Sequence, residues 1–180
     1  WSSDVCSSDL PYPETWQPTN TIHYEFAGNE FTADKILPYV WRDGKAGKPP
    51  CAICKHLPAN LKLPNQATLF VGEKGAIVHP HGGKPLVFPL DLLSRYNMPT
   101  IEKRGHFESW HEAILTGKPA CASFEFSAPL TETVLLGNIA VRFPNEKLLW
   151  DSKALRFTNN DHANAFIRNE YRSGWKWDGL

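Results

Sequence analysis

The cysteines of this 180-residue chain offer the first chemistry to consider. Cys51 and Cys54 form a CxxC pair. A covalently attached haem needs a histidine directly after the second cysteine, and Lys55 occupies that place. A structural zinc site needs a second pair of ligands, and none follows at a suitable spacing. We therefore expect these to be ordinary loop cysteines.

Two histidine patterns resemble parts of metal sites, and both are incomplete. His111-Glu112 begins like the zinc-protease HExxH pattern, but Leu115 stands where the second histidine is required. His79 and His81 lie on one side of a predicted strand, and two ligands are too few to hold a metal ion. The sequence predicts no metal site.

A second group of residues could bind an uncharged polar ligand. His106 and Trp110 are four residues apart on a predicted helix, so both could line a pocket in which a sugar ring stacks on the indole. The alternative is that Trp110 belongs to the core and His106 only starts the helix. Asn138, in an apolar helix, needs hydrogen-bond partners, which are either backbone groups or a ligand. Glu132 is expected to interact with the dipole at the helix start rather than to act as a catalytic acid.

Strand patterns occupy the first half of the chain. Residues 21–26, TIHYEF, alternate apolar and polar side chains, as in a half-buried strand. The next apolar stretch contains Pro38, which cannot donate a ladder hydrogen bond, so we expect an edge strand or a bulge there. Residues 44–66 have no periodicity and predict a long loop. TLFV, the turn GEKG and AIVH predict a hairpin, and LVF follows as another strand.

Helical patterns dominate after residue 105. FEF at 124–126 is expected to be a short extended link, with Pro129 starting the helix after it. That helix is apolar nearly all round, which predicts burial on most sides. Gly137 in its middle suggests that another element packs closely there. KLLWD predicts a strand, and Asn160 is expected to cap the last helix. The helices are predicted near residues 106–116, 129–142 and 161–172.

This order of elements predicts an α+β fold, with one open, mostly antiparallel sheet covered by helices on one face. Composition also limits the class of protein. Hydrophobic residues make up 42% and charged residues 21%, which are values of a globular chain, and the length suits one domain. Lys plus Arg and Asp plus Glu are 19 each, and no basic stripe occurs, so we expect no nucleic-acid partner. No apolar run approaches the roughly 20 residues of a membrane helix, so we expect no membrane partner.

The first ten residues, WSSDVCSSDL, differ from the rest of the chain. They contain four serines and two aspartates and have no apolar period. Back-translation of residues 5–10 fits GTG-TGC-TCT-TCC-GAT-CT, which looks like the end of a sequencing adapter. We interpret residues 1–10 as non-native and expect them to be unpacked, with ordinary protein sequence beginning at Pro11.

A series of stretches then suggests a family. YPETW, LFVGEKG, GHFESWHEAI, FEFSAPLTETVLLGNIAVR, KLLWD and FTNNDHAN follow one another between residues 11 and 175. Together they resemble the C-terminal domain of the Gfo/Idh/MocA oxidoreductases. The similar branch contains glucose–fructose oxidoreductase-like and inositol dehydrogenase-like proteins.

The resemblance implies a parent protein with an N-terminal Rossmann domain, which binds NAD or NADP and is absent from this chain. Residues 11–180 would be part of its substrate and oligomerisation domain, which forms a homo-oligomer through its sheet face. The chemistry implied is hydride transfer between nicotinamide and a secondary alcohol of a sugar or polyol. The family's catalytic lysine and histidine would precede Pro11. Neither of the two Glu-Lys pairs, Glu73-Lys74 and Glu102-Lys103, is followed by the proline of the family motif.

From the resemblance we expect no catalytic residue in this chain. The chain contains no GxGxxG or Walker loop, so we also expect no cofactor-binding residue. The substrate-binding candidates are His106, Trp110 and Asn138. Two alternatives remain open: an NAD-dependent glycosidase of the same family, and a non-catalytic domain that assembles subunits or binds carbohydrate. The compartment is not indicated.

Overall fold

The computed structural model describes residues 2–5, 18–44, 47–49, 54–96, 100, 104–168 and 170–175, with the backbone alone for 2–5. The strands are β1 (Ser2–Val5), β2 (Thr19–Ala27), β3 (Ile36–Gly44), β4 (Ala67–Val71), β5 (Ala76–Pro80), β6 (Leu86–Phe88), β7 (Leu148–Asp151) and β8 (Arg156–Phe157). The helices are α1 (Leu92–Arg95), α2 (His106–Thr116), α3 (Phe124–Ala140) and α4 (Asp161–Asn164). Every strand pairing among the described residues is antiparallel, which confirms the α+β fold with open antiparallel sheets.

The strands form two sheets where the sequence predicted one. A five-stranded sheet has the order β3-β2-β1-β7-β8, and a three-stranded sheet has the order β4-β5-β6. The chain divides accordingly into two compact units. Unit 1 comprises residues 1–46 and 129–180, and unit 2 comprises residues 47–128. The prediction of a single sheet was wrong because strand patterns alone do not say which hairpins join one ladder.

In unit 1, β2 and β3 form a long hairpin whose pairing runs from Thr19 opposite Gly44 to Ala27 opposite Ile36. Pro38 pairs with Glu25 and lies on β3, at the edge of the sheet. The prediction of an edge strand is confirmed. Proline is tolerated there because an edge strand leaves one side of its ladder unpaired.

One face of this sheet is covered by the part of α3 that belongs to unit 1. Alternation along β2 buries Ile22 and Tyr24 on that face, against Leu136 and Ala140 of the helix. The core continues with residues of β7, β8, α4 and the turn after α3: Val141, Phe143, Leu148, Trp150, Phe157 and Ala163. Trp150 Nε1 donates a hydrogen bond to Glu132 Oε1, which ties the middle of α3 to β7. Because α3 begins at Phe124, Glu132 lies in its third turn rather than at the helix N-terminus, so the predicted dipole role was wrong.

Gly137 marks the closest approach of α3 to β2. A Cβ at this position would lie 2.1 Å from Tyr24 Oη and 3.2 Å from Ile22 Cδ1. The expectation that another element packs closely there is confirmed. The helix is less buried than its composition suggested, because the side chains of Leu130, Val134 and Leu135 are exposed.

The start of α3 also differs from the prediction. The helix begins at Phe124, so residues 124–126 are its first turn and Pro129 lies inside it. Ser123 precedes the first residue, and serine is favoured as an N-cap. Its side chain hydrogen-bonds Glu125, and this bond lowers the pKa of that carboxyl. The predicted extended link at residues 124–126 and the predicted helix start at Pro129 were wrong.

Of the helices predicted near residues 106–116 and 161–172, the first has the predicted bounds and the second does not. α2 has the predicted bounds, and Gly117 ends it in the left-handed conformation, with φ of 69°. The last helix is much shorter than predicted, since α4 ends at Asn164. Asn160 caps it as expected, because its Oδ1 accepts a hydrogen bond from Ala163 N at 2.9 Å. No described helix has the length and apolar character needed to cross a bilayer.

The first residues fold differently from the expectation. Ser2–Val5 forms β1, which pairs with β2 on one side and β7 on the other, in the middle of the sheet. The expectation that residues 1–10 are unpacked is therefore wrong for residues 2–5, while residues 6–10 lie outside the described part of the chain. Strand pairing uses the N–H and C=O groups that every non-proline residue carries, so a segment without apolar period can still form a strand.

The opposite face of the unit 1 sheet is open and mixed in character. Register places His23, Glu25 and Arg42 on it, together with exposed Val40 and Leu149. Lys147 Nζ donates to Glu25 Oε2 at 2.7 Å. Charged and apolar side chains therefore share this face.

Unit 2 has a small core of its own. The β4-β5 hairpin follows the predicted strands, and β6 pairs with β5. Val78 and Phe88 are buried against Cys54 and Leu57 of the preceding loop. The predicted long loop thus packs on the hairpin in its described part. The apolar side chains of α2 are largely exposed, since the exposed fractions of Phe107 and Ile114 are 81% and 63%.

Gly137→Ala should destabilise unit 1 although alanine is a better helix former than glycine by about 1 kcal/mol. The added methyl group would overlap Tyr24 Oη, and the Tyr24 ring is held by Phe26 and Tyr39 at centroid distances of 6.0 and 5.4 Å. Overpacking of this kind costs about 1–3 kcal/mol, which should appear as a lower urea midpoint.

The matched test combines this change with Tyr24→Phe, which removes the overlapping oxygen. The double variant should be more stable than the sum of the two single effects predicts, by about 1 kcal/mol. Additive effects, or a Gly137→Ala variant as stable as the original chain, would contradict the close approach.

Candidate functional site

A pocket of about 310 Å³ lies in unit 1, between the covered face of the β2-β3 hairpin and α3. Residues from the three elements and their ends line it: Pro18, Asn20, Ile22, Tyr24, Trp41, Asp43, Gly44, Val134, Asn138 and Val141. The period of two along each strand explains this lining, since alternate residues of β2 and β3 point to one face. The pocket therefore combines apolar walls with amide, carboxylate and phenol groups.

The polar end of the pocket is organised around Asp43. Asn20 lies directly opposite Asp43 in the strand register, and its Nδ2 donates to Asp43 Oδ1 at 2.7 Å. Trp41 Nε1 donates to Asp43 Oδ2 at 3.0 Å. Each carboxylate oxygen can accept a second hydrogen bond. The carboxylate is thus held in place by two donors and still offers acceptor positions to a ligand.

Tyr24 lies beside Asp43, and the ring of Tyr39 contacts that of Tyr24. Burial raises the pKa of Tyr24 well above its usual range, and the neighbouring Tyr39 and Asp43 raise it further. Burial also raises the pKa of Tyr39. Both phenols therefore stay protonated at neutral pH, and Tyr24 lines the pocket as a neutral hydroxyl.

Asn138 lies in the same pocket, on α3 next to Gly137, and is half-buried. The sequence left open whether its amide meets backbone groups or a ligand. Within the described part of the chain the Asn138 side chain makes no hydrogen bond to protein. Its amide group therefore has donors and an acceptor that a ligand in the pocket can use.

The other two predicted residues lie in unit 2. His106 and Trp110 line a second pocket of about 370 Å³, so the prediction that they share a helical face is confirmed. Trp110 is 62% exposed, which excludes the alternative that it belongs to the core. Ser109 is buried beneath them, and its Oγ accepts a hydrogen bond from Cys121 N at 2.8 Å. This bond holds the 120–122 segment against α2.

The three sequence-predicted residues therefore do not share one unit. The pocket of unit 2 is lined mostly by apolar groups, from Phe107, Trp110, Ala120 and Ala122, and by His106 and Cys121. The pocket of unit 1 offers more hydrogen-bonding groups. For this reason we take the unit 1 pocket as the principal candidate site.

No group of three or more His, Cys, Asp or Glu side chains suitable for a metal ion occurs among the described residues. Cys54 is buried in the apolar core of unit 2. Cys51 lies outside the described residues. His79 and His81 are exposed at the end of β5.

Sequence reasoning missed the polar end of the pocket. Asn20 alternates with Ile22 and Tyr24 along β2, so the three side chains share one face of the sheet. A polar residue on a face that is otherwise buried and apolar suggests a polar site there. Trp41 and Asp43 are likewise two residues apart on β3. The cross-strand register that joins these two pairs depends on the hairpin between residues 27 and 36, which the sequence pattern did not specify.

Comparison with known proteins gave no relative: no protein-family model, no curated protein and no solved structure matches this chain.

The raised pKa of Tyr24 predicts a loss of stability in alkali. An unfolded tyrosine releases its proton near pH 10, whereas folded Tyr24 holds it to higher pH. The contribution of Tyr24 protonation to the free energy of unfolding is therefore fully present below pH 10. Above pH 10 this contribution falls by up to about 1.4 kcal/mol per pH unit. Tyr24→Phe should make the decline of the free energy of unfolding between pH 10 and 11.5 shallower.

The matched control is Tyr171→Phe, which removes a 60% exposed tyrosine. Urea denaturation at several pH values measures both variants. Equal slopes for Tyr24→Phe and the original chain would show that burial of this phenol does not govern alkaline stability.

Proposed function

We propose that this chain is the substrate-binding and oligomerisation domain of an NAD(P)-dependent oxidoreductase acting on secondary alcohols of sugars or polyols. The observation that supports it best is the unit 1 pocket. Its volume of about 310 Å³ is at the small end of ligand sites, which suits a monosaccharide or a cyclic polyol. The family resemblance of the sequence supplies the redox part of the proposal.

The lining of the pocket suits both the hydroxyl groups and the C–H groups of a polyol. The carboxylate of Asp43 can accept hydrogen bonds from ligand hydroxyl groups, and the Asn138 amide can both donate and accept. Apolar contact with the C–H face of a ring is available from Trp41 and Val134. The Asp43 carboxylate, held by two hydrogen bonds beside the Trp41 indole, would bind a ligand in one orientation. Hydride transfer requires a fixed orientation of the substrate carbon relative to the nicotinamide ring.

The described residues do not fit a nicotinamide dinucleotide. Its pyrophosphate needs a cluster of backbone N–H groups or cations, and the polar group of the unit 1 pocket is instead the Asp43 carboxylate, which would repel a phosphate. The cofactor would be bound elsewhere in the parent protein. This chain would supply substrate binding, orientation and exclusion of water.

The assembly part of the proposal concerns the open face of the unit 1 sheet. Val40 and Leu149 are 43% and 42% exposed there and could be buried against a second copy of the chain. His23 and Arg42 on the same face would then need partners across the interface.

One alternative is a carbohydrate-binding domain without redox chemistry. The pocket favours it to the same degree, because none of the lining groups requires a cofactor. An NAD-dependent glycosidase would use the same pocket and differ in whether NAD leaves between turnovers.

Titration with myo-inositol and with D-glucose, followed by the Trp41 indole N–H resonance, should show saturable binding of at least one of them. Asn138→Ala should weaken this binding about tenfold, because a hydrogen bond worth about 1–2 kcal/mol is lost. His23→Ala is the matched control, since His23 lies on the same strand as the pocket residues but on the open face. It should leave binding unchanged.

The same titration on His106→Ala compares the two pockets. Equal affinity for His106→Ala and the original chain supports the unit 1 pocket. If His106→Ala lost binding while Asn138→Ala kept it, the site would lie in unit 2. Absence of saturable binding by either ligand would remove the carbohydrate proposal.

Calorimetric titration with NAD and NADP tests whether this chain binds the substrate without binding the cofactor. We expect no binding of either cofactor up to millimolar concentration, because the described pockets offer no pyrophosphate site. Saturable micromolar binding would mean that this chain holds the cofactor itself, and it would overturn the proposal that the chain is the substrate part alone.

A further inference from the structure

The unit 1 pocket carries a negative charge that a neutral polyol would leave unbalanced. Asp43 is half-buried in the pocket wall, and it takes part in none of the ion pairs among the described residues. Its two hydrogen bonds come from the amide of Asn20 and the indole of Trp41, which are uncharged donors. A ligand that fills the pocket would also remove water from this carboxylate. Removing water from a charged group is unfavourable unless the group is then paired with an opposite charge.

The groups around Asp43 favour a cation as that partner. The rings of Tyr24 and Trp41 line the same pocket, and aromatic rings attract cations over their faces. No Lys, Arg or His is among the described residues that line the pocket. The described lining would therefore attract a positively charged group and contains no cation that would repel it.

The charge of Asp43 also acts on the buried wall of the pocket. Burial raises the pKa of Tyr24, and Tyr39 and Asp43 raise it further, because each of them disfavours the negatively charged phenolate. Tyr24 is buried beneath α3, where solvent screens charges less than it does at the surface. A cation bound beside Asp43 would therefore be attracted more strongly than one at an exposed carboxylate.

We propose that the ligand of the unit 1 pocket carries an ammonium group beside its hydroxyl groups, so that the substrate class is an amino sugar or an amino polyol. This inference rests on the proposed function, because it takes the unit 1 pocket as the substrate site. The ammonium group would donate hydrogen bonds to the Asp43 carboxylate, and the Asn138 amide would bind hydroxyl groups of the same ligand. Charge-assisted hydrogen bonds are about twice as strong as neutral ones, so the ammonium group would determine which ligand is preferred.

The test compares D-glucose with its aminodeoxy derivatives, in which an amine replaces the hydroxyl group at C2, C3 or C6. At about pH 6 such amines are protonated. Titration followed by the Trp41 indole N–H resonance should show that at least one derivative binds the original chain about tenfold more tightly than D-glucose. D-Glucuronate, which carries a carboxylate instead, should bind roughly tenfold more weakly than D-glucose, because Asp43 would repel it.

A charge-removing variant identifies the group responsible. Asp43→Asn removes the negative charge and nearly keeps the shape of the side chain, so the preference for the amino derivatives over D-glucose should disappear. Glu25→Gln is the matched control, because it removes a carboxylate from the open face of the same sheet. This control should keep the preference of the original chain.

A second measurement uses the original chain alone and does not depend on the fold of Asp43→Asn. Raising the NaCl concentration from about 20 mM to about 500 mM should weaken binding of the preferred amino derivative roughly threefold, because salt screens the attraction between opposite charges. Binding of D-glucose, which is uncharged, should not change.

The outcomes separate this inference from the proposed function. If D-glucose binds and no amino derivative binds more tightly, the inference is overturned and the proposed function stands. If the preference persists in Asp43→Asn, or if salt affects D-glucose and the amino derivative equally, the charge of Asp43 does not select the ligand, and the inference is also overturned. If neither the neutral nor the amino sugars bind, the proposed function fails and the inference fails with it.

Discussion

The close approach of α3 to β2 at Gly137 is the contact on which unit 1 depends most. A Cβ at this position would overlap Tyr24 Oη, so the absence of a side chain sets how near the helix lies to the sheet. Leu136 and Ala140, on the same side of the helix, then reach the core. A larger residue at 137 would lift the helix and separate both from Ile22 and the strands below.

The same contact explains why a pocket exists beside the core. Tyr24 fills the space under Gly137, and Asn138 and Val141 lie beyond it, where β2 begins and β3 ends. At this end the strand pair carries Asn20 and Asp43 where apolar residues would continue the core. A hydrogen-bonded amide and carboxylate do not pack against the helix as apolar side chains would, so space remains between the layers.

Much of the local structure was predictable because it depends on residues close in sequence. The edge position of Pro38, the cap at Asn160 and the bounds of α2 all follow from backbone rules. Of the candidate site, Asn138 was predicted, and the pairing of Asn20 with Asp43 was not, because those residues are 23 apart and meet only through strand register. The early start of α3 was missed because Pro129 gave a stronger signal than Ser123.

β2 connects the candidate pocket with the middle of the unit 1 sheet. Its covered face provides Asn20, Ile22 and Tyr24 to the pocket, and its backbone pairs with β3 on one side and β1 on the other. A strand is positioned by its ladders, so the pairing at Ile22 and Tyr24 fixes where these two side chains stand. A change in either ladder would therefore move two walls of the pocket. The shape of the pocket therefore depends on backbone pairing along β2 as well as on the side chains that line it.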